Sequence, residues 1–158
     1  MTGTEPASSE AEKYVLDGFP DTALLFFRAM ELSRNRVAAR HGLSETELRA
    51  FFRIAAAGAM TPKQLATDLG LTNGAITGVS NRLVAAGHIR RVDHPRDRRS
   101  LHLELTASGH DAMKVMHADF RLMLTPDEDS VPEVDLGVTE SALRVLTAQI
   151  QAHVPIVP

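Results

Sequence analysis

Residues 61–106 read TPKQLATDLGLTNGAITGVSNRLVAAGHIRRVDHPRDRRSLHLELT, and two short helices followed by a basic hairpin can be laid onto them with little freedom. Thr61 is a helix N-cap, Pro62 takes the first helical position, and Gln64, three residues past the cap, can reach back to the Thr61 amide. Leu65 and Leu69 fall one turn apart on a single face beside Ala66, and Gly70 supplies the left-handed residue that closes the helix. After a minimal turn, Thr72 caps a second helix. Ile76, Val79 and Leu83 recur there at helical spacing, Asn73, Thr77, Asn81 and Arg82 point elsewhere, and Gly87 stops it. The period then changes from about 3.6 to 2. Residues 89–92, and then Leu101, Leu103 and Leu105 with His102 and Glu104 between them, read as two half-buried antiparallel strands. Residues 94–100, HPRDRRS, make the turn at their tip and carry three arginines.

Two helices of this kind form a helix-turn-helix, and a hairpin placed directly after the second helix is a wing. The second helix is apolar on one face. Its other face carries hydroxyls, amides and one arginine, with Gly74 and Gly78 permitting close approach, which is what a helix needs to enter a DNA major groove. The wing tip can reach the neighbouring minor groove, where narrow A·T-rich DNA attracts arginine.

At these residues the chain resembles the MarR (multiple antibiotic resistance regulator) transcription factors. Asp97, Arg99, Leu105 and Thr106 stand in that family's D-x-R followed by L-T pattern, and Arg82-Leu83 followed by Gly87 and Arg91 matches its R-L…G…R ending of the recognition helix. The likeness extends over residues 21–150. It implies that Asp97 holds the arginine fork and that Arg99 enters the minor groove, with Arg98 as a second candidate because the tip here is D-R-R. It also implies a dimer interface built from the N- and C-terminal helices, a ligand cleft between that interface and each winged unit, and repression as the usual activity.

The chain has 158 residues, enough for one domain with a real core, and 44% hydrophobic with 23% charged residues places it among soluble proteins that fold without staples. The formal net charge of −3 runs against DNA binding until the charges are located. Residues 61–110 carry seven basic and four acidic groups, whereas residues 111–158 carry three and eight. The winged segment is therefore basic within an acidic chain, and phosphate binding needs only that local patch. With no cysteine, disulfides, thiolate metal sites and thiol-based redox sensing are excluded. No run of about 18 apolar residues and no signal peptide are visible, so a cytoplasmic protein without a membrane span is expected.

Outward from the winged unit, residues 1–20 read as a flexible tail, residues 44–106 as the winged helix-turn-helix domain, and residues 21–43 with 107–158 as a helical dimerisation region. The fold class expected is mainly α with a small β-hairpin wing. In the first helix Leu24, Phe27, Met30, Leu32 and Val37 form an apolar stripe, interleaved with Arg28, Arg34, Arg36 and Arg40, which read as a solvated or ion-paired face. Ser44 and Glu47 form a capping box for a helix whose Leu48, Phe51, Phe52 and Ala55 pack under the winged unit. Thr106 caps a long helix with Met113, Met116, Phe120 and Met123 at core spacing. An acidic, proline-bearing loop over residues 125–136 follows. Thr139 then caps a last helix with Leu143, Leu146 and Ile150 on one side.

The terminal helices lack a globular core of their own, so their stripes are buried best against each other and a second copy. A two-fold homodimer would present two recognition helices about 34 Å apart and read a pseudo-palindromic operator in double-stranded DNA. The residues expected to meet DNA are Thr72, Asn73, Thr77, Asn81 and Arg82 in the major groove and Arg96, Arg98 and Arg99 on the wing, with Asp97 orienting the arginines and Arg91 supporting the wing. Phe26, Phe27, Met30, Phe51 and Phe52 are candidates to line the family's cleft, and would favour a small lipophilic or aromatic effector, although buried Phe and Met usually fill cores. No cofactor is implied. His110 and His117 lie two turns apart, too far to share one zinc. No nucleophile elbow, P-loop, dinucleotide glycine pattern or H-E-x-x-H is present, so no enzyme is expected. The alternative is a winged helix serving as a protein-interaction or structural module, but such a surface has no need of Arg90, Arg91, Arg96, Arg98 and Arg99 on one hairpin.

Overall fold

A computed structural model describes residues 17–94, 97–125 and 135–153, with side chains described throughout except at 94 and 97–100. The N-terminal tail up to residue 16, Arg96 at the wing tip, most of the acidic loop and the last five residues lie outside the described residues. The elements run α1 (Asp21–Arg40), α2 (Glu45–Ala57), β1 (Ala59–Met60), α3 (Pro62–Leu69), α4 (Asn73–Ala85), β2 (Ile89–His94), β3 (Asp97–Leu105), α5 (Ala107–Leu124) and α6 (Leu136–His153). The chain falls into two compact units, one ending at Leu32 and the other beginning at Ser33.

The caps expected from the sequence are made. Ser44 and Glu47 bond reciprocally at the start of α2, and Thr61 and Gln64 do so at the start of α3. Gly70 closes α3 in the left-handed conformation, and Thr72 and Thr106 cap α4 and α5 through their hydroxyls. Each cap satisfies backbone donors that a helix start otherwise leaves unpaired. The last helix corrects the expectation: α6 begins at Leu136, and Asp135, not Thr139, accepts from its first amides, those of Gly137 and Val138. Thr139 lies inside the first turn, where its hydroxyl donates back to the Asp135 carbonyl.

The second unit holds one core. Leu48, Phe51 and Ile54 from α2, Leu65 from α3, and Ile76 and Leu83 from α4 meet Ile89, Leu103 and Met116 with almost no exposed surface. Burying a side chain of this size stabilises a fold by about 1.5–3 kcal/mol. The sheet has three strands in the order β1-β3-β2, all antiparallel. β1 was not expected. Its two residues extend the sheet by pairing Ala59 with Glu104 and Met60 with Leu103, which closes one edge of β3 and anchors the wing to the end of α2.

The wing also differs from the seven-residue turn expected at its tip. The strands continue to His94 and from Asp97, and the pairing jumps from Asp93 opposite Leu101 to His94 opposite Asp97. Arg98, Arg99 and Ser100 therefore belong to an irregular stretch of β3, a bulge of the sort that bends and twists a hairpin.

Helix α5 is locked to the winged unit at its first turn. The Thr106 amide donates to the His88 carbonyl at 3.0 Å, and the Thr106 and Ser108 hydroxyls donate to the Gly87 carbonyl at 2.6 and 2.9 Å. Farther along, the Asp119 carboxylate meets His41 at 3.1 Å and Arg40 at 3.2 Å. The hydrogen bond from His41 and the charge of Arg40 outweigh the opposing effect of burial and lower the Asp119 pKa. That contact pins the end of α1 to α5.

Candidate nucleic-acid interface

Helix α4 shows why its two faces differ. Ile76, Val79, Ser80 and Leu83 are buried, whereas Thr72, Asn73, Gly74, Ala75, Thr77, Asn81 and Arg82 are exposed along one side. The short α3 in front of it is braced by Arg53 of α2, whose guanidinium forks onto both carboxylate oxygens of Asp68, one bond at 2.5 Å. This brace ties α3 to α2.

Several of the exposed groups are already in use. The Thr72 hydroxyl accepts from the Ala75 amide at 3.2 Å, and its hydrogen remains available for a phosphate oxygen. The Thr77 hydroxyl donates to the Asn73 carbonyl at 2.8 Å, which leaves its lone pairs to accept. Asn81 accepts from Arg91 Nη2 at 2.5 Å, so Arg91 joins the far end of α4 to the first strand of the wing. Arg82 donates through Nε to Glu47 of α2. On the wing, Arg90 faces Glu104 on the neighbouring strand at 3.2 Å, so its charge is partly offset.

The structure thus brings Thr72, Asn73, Thr77, Asn81, Arg82 and Arg91 to one surface at the α4–β2 side of the fold. Asp97, Arg98 and Arg99 follow on the backbone of β3, their side chains lying outside the described residues as Arg96 does entirely. Reading the sequence assigned Glu47 only to a helix cap. Its second role, toward Arg82, has no local signal because the two residues are 35 positions apart.

The candidate cleft residues are distributed differently. Phe26 and Phe27 on α1 are 41% and 52% exposed and meet edge to face with ring centroids 6.3 Å apart, and Met30 on the same helix is half-buried. Phe51 is fully buried beside the His88 ring at 5.1 Å, and Phe52 stands edge-on to Phe120 at 5.4 Å. Among the described residues no group of His, Asp and Glu is placed to hold a metal, and no helix is long and apolar enough to cross a membrane.

A family model, described as MarR family, matches residues 43–101, which run from the start of α2 into the wing. The chain belongs to the MarR family. The multiple antibiotic resistance protein MarR of Salmonella typhimurium is 26% identical over 113 residues, 72% of this chain and 74% of that protein. The uncharacterized HTH-type transcriptional regulator YcgE of Bacillus subtilis is 34% identical over 110 residues, 66% of each. Among solved structures, a mutant of MepR from S. aureus bound to an oligodeoxyribonucleotide matches with a TM-score of 0.62 at 14% identity, covering 85% of this chain and 99% of that one. At that identity the likeness shows the fold alone. The MarR-family relatives are transcriptional regulators, not enzymes, and transcriptional regulation is the level at which function follows from the family.

Proposed function

We propose that the chain is a homodimeric, sequence-specific DNA-binding repressor whose hold on a pseudo-palindromic operator is modulated by a small lipophilic or aromatic ligand. The observation that carries this reading is the continuous polar face of α4 tied by the Asn81–Arg91 bond to a wing bearing Arg98 and Arg99. Thr72, Asn73, Thr77, Asn81 and Arg82 meet phosphates and base edges in the major groove. Arg96, Arg98 and Arg99 engage the minor groove, oriented by Asp97, and Arg91 holds the wing in register with the helix.

The DNA carried by the fold neighbour MepR supports the nucleic-acid reading by analogy of fold. Dimerisation is supported by α6, where Leu136, Leu143 and Ile150 fall on one face and are all exposed in the single chain, an apolar stripe that a soluble monomer rarely leaves open. The exposed Phe26 and Phe27 pair supports an apolar effector.

The test is a selection of genomic fragments by the purified protein, with the Arg98→Ala/Arg99→Ala double variant in parallel and binding followed against salt. The expected result is enrichment of a pseudo-palindrome by the wild type. Each phosphate contact removed should flatten the slope of log K against log salt by about 0.9. A folded wild type that enriches nothing at low salt would overturn the reading in favour of a protein-interaction module.

A further inference from the structure

The carboxylate of Glu47 lies on α2, outside the helix-turn-helix, and is almost wholly buried. Its two oxygens have separate duties. One accepts from the Ser44 amide at 2.8 Å and completes the helix cap, and the other accepts from Arg82 Nε. The Glu47 side chain is 8% exposed and that of Arg82 62%, so the pair is closed at the carboxylate and open at the guanidinium. Arg82 Nη1 lies 3.5 Å from the point a Cβ on Gly78 would occupy. The guanidinium therefore folds back along α4 and rests over Gly78, one turn before its own Cα, on the exposed face of the helix. An arginine held through Nε keeps both Nη groups as donors.

We propose that Glu47 is a positioning residue for DNA recognition, holding Arg82 so that its Nη groups are presented to DNA from above Gly78. This rests on the reading of α4 as the recognition helix. An arginine left to itself must be ordered on binding, and one already held in a single geometry loses less entropy and accepts fewer wrong partners. The carboxylate also offsets the positive charge of Arg82, so the pair supplies geometry more than attraction. Losing Glu47 leaves charge-driven, sequence-independent binding intact or stronger while discrimination falls.

The experiment uses the full-length protein and a random-sequence duplex library. A sequence enriched by the wild type is measured beside the unselected pool with wild type, Glu47→Gln, Arg82→Lys, Arg82→Ala and the Glu47→Gln/Arg82→Ala double variant. Glutamine retains an acceptor for the Ser44 amide, so the cap survives. The ratio of affinities for selected and unselected DNA should fall about tenfold in Glu47→Gln, with affinity for the unselected pool equal or higher. Arg82→Lys should fall similarly, because one ammonium has no fork left over after bonding Glu47. The double variant should discriminate no worse than Arg82→Ala. Wild-type ratios in Glu47→Gln and Arg82→Lys would overturn the proposal, as would a parallel loss on both DNAs, which marks a merely structural role. If thermal melting shows Glu47→Gln unfolded, the Arg82→Lys ratio decides alone. A wild type that enriches no sequence sinks the recognition-helix reading itself, and the proposal with it.

Discussion

Gly109 has no room for a side chain. A Cβ there would run into the His88 carbonyl oxygen and press on the Thr106 hydroxyl, the two groups that lock α5 to the turn after α4. Backbone cannot swing aside as a side-chain tip can, so Gly109→Ala should destabilise the fold by about 1–3 kcal/mol. Urea unfolding measures this, and an unchanged midpoint would show the junction to be loose. Glu47 carries the other residue-scale expectation. Burial opposes its charge, but hydrogen bonds from the Ser44 amide, Arg82 and the Ser44 hydroxyl prevail and hold the carboxyl below the ordinary glutamate value of 4.5. A carboxyl depressed in the folded state contributes stability above its unfolded value, and that contribution is lost as pH falls through the folded one. Wild type should therefore exceed Glu47→Gln in stability by about 1–3 kcal/mol at pH 7, with the two converging as pH falls below 4.5. A constant gap measured by urea titration at both ends would assign the difference to something other than the charge.

At the scale of elements, the recognition helix and the wing are one object because Arg91 bridges them. Both Asn81 and Arg91 are exposed, and an exposed bond of this kind contributes well under 1 kcal/mol to folding. In the proposed function its effect falls on DNA binding. Arg91→Ala should leave the melting temperature within a few degrees of wild type while weakening operator binding several-fold, as read by fluorescence anisotropy. Equal losses of stability and binding would show that Arg91 serves the fold alone. The elements themselves were largely legible beforehand. Capping boxes at Ser44 and Thr61, the left-handed Gly70 and the switch of period after Gly87 are all set by residues within four positions of one another. β1 was not legible, since two residues show no period. The continuation of β3 through Asp97 was missed because Pro95 and three arginines read as a turn, whereas pairing with β2 continues past the bulge.

At the scale of the whole molecule, the apolar stripes expected on the terminal helices are only partly buried. Met116 is buried and Met113 and Phe120 pack against the core, but Met123, Leu143 and Ile150 are exposed, as are Leu24, Phe27 and Leu32. In the proposed homodimer a second copy covers the exposed stripe of α6. The Leu143→Glu/Ile150→Glu double variant should then shift the sedimentation coefficient from dimer toward monomer and lower operator affinity, while helical content by circular dichroism stays within a few per cent. A dimer unaffected by two buried charges would remove α6 from the interface.

The sequence by itself determined the helix-turn-helix, the hairpin after it and the basic patch on an acidic chain, because caps, periodicity and local charge act over one or two turns of backbone. The tertiary structure alone decided that Glu47 holds Arg82, that Asn81 is tied to the wing, that a third strand closes the sheet, and that Phe51 belongs wholly to the core. Each of these depends on which distant segments share a surface. Such contacts join residues that no local pattern connects, and they arise only when burial of the common core brings the segments together.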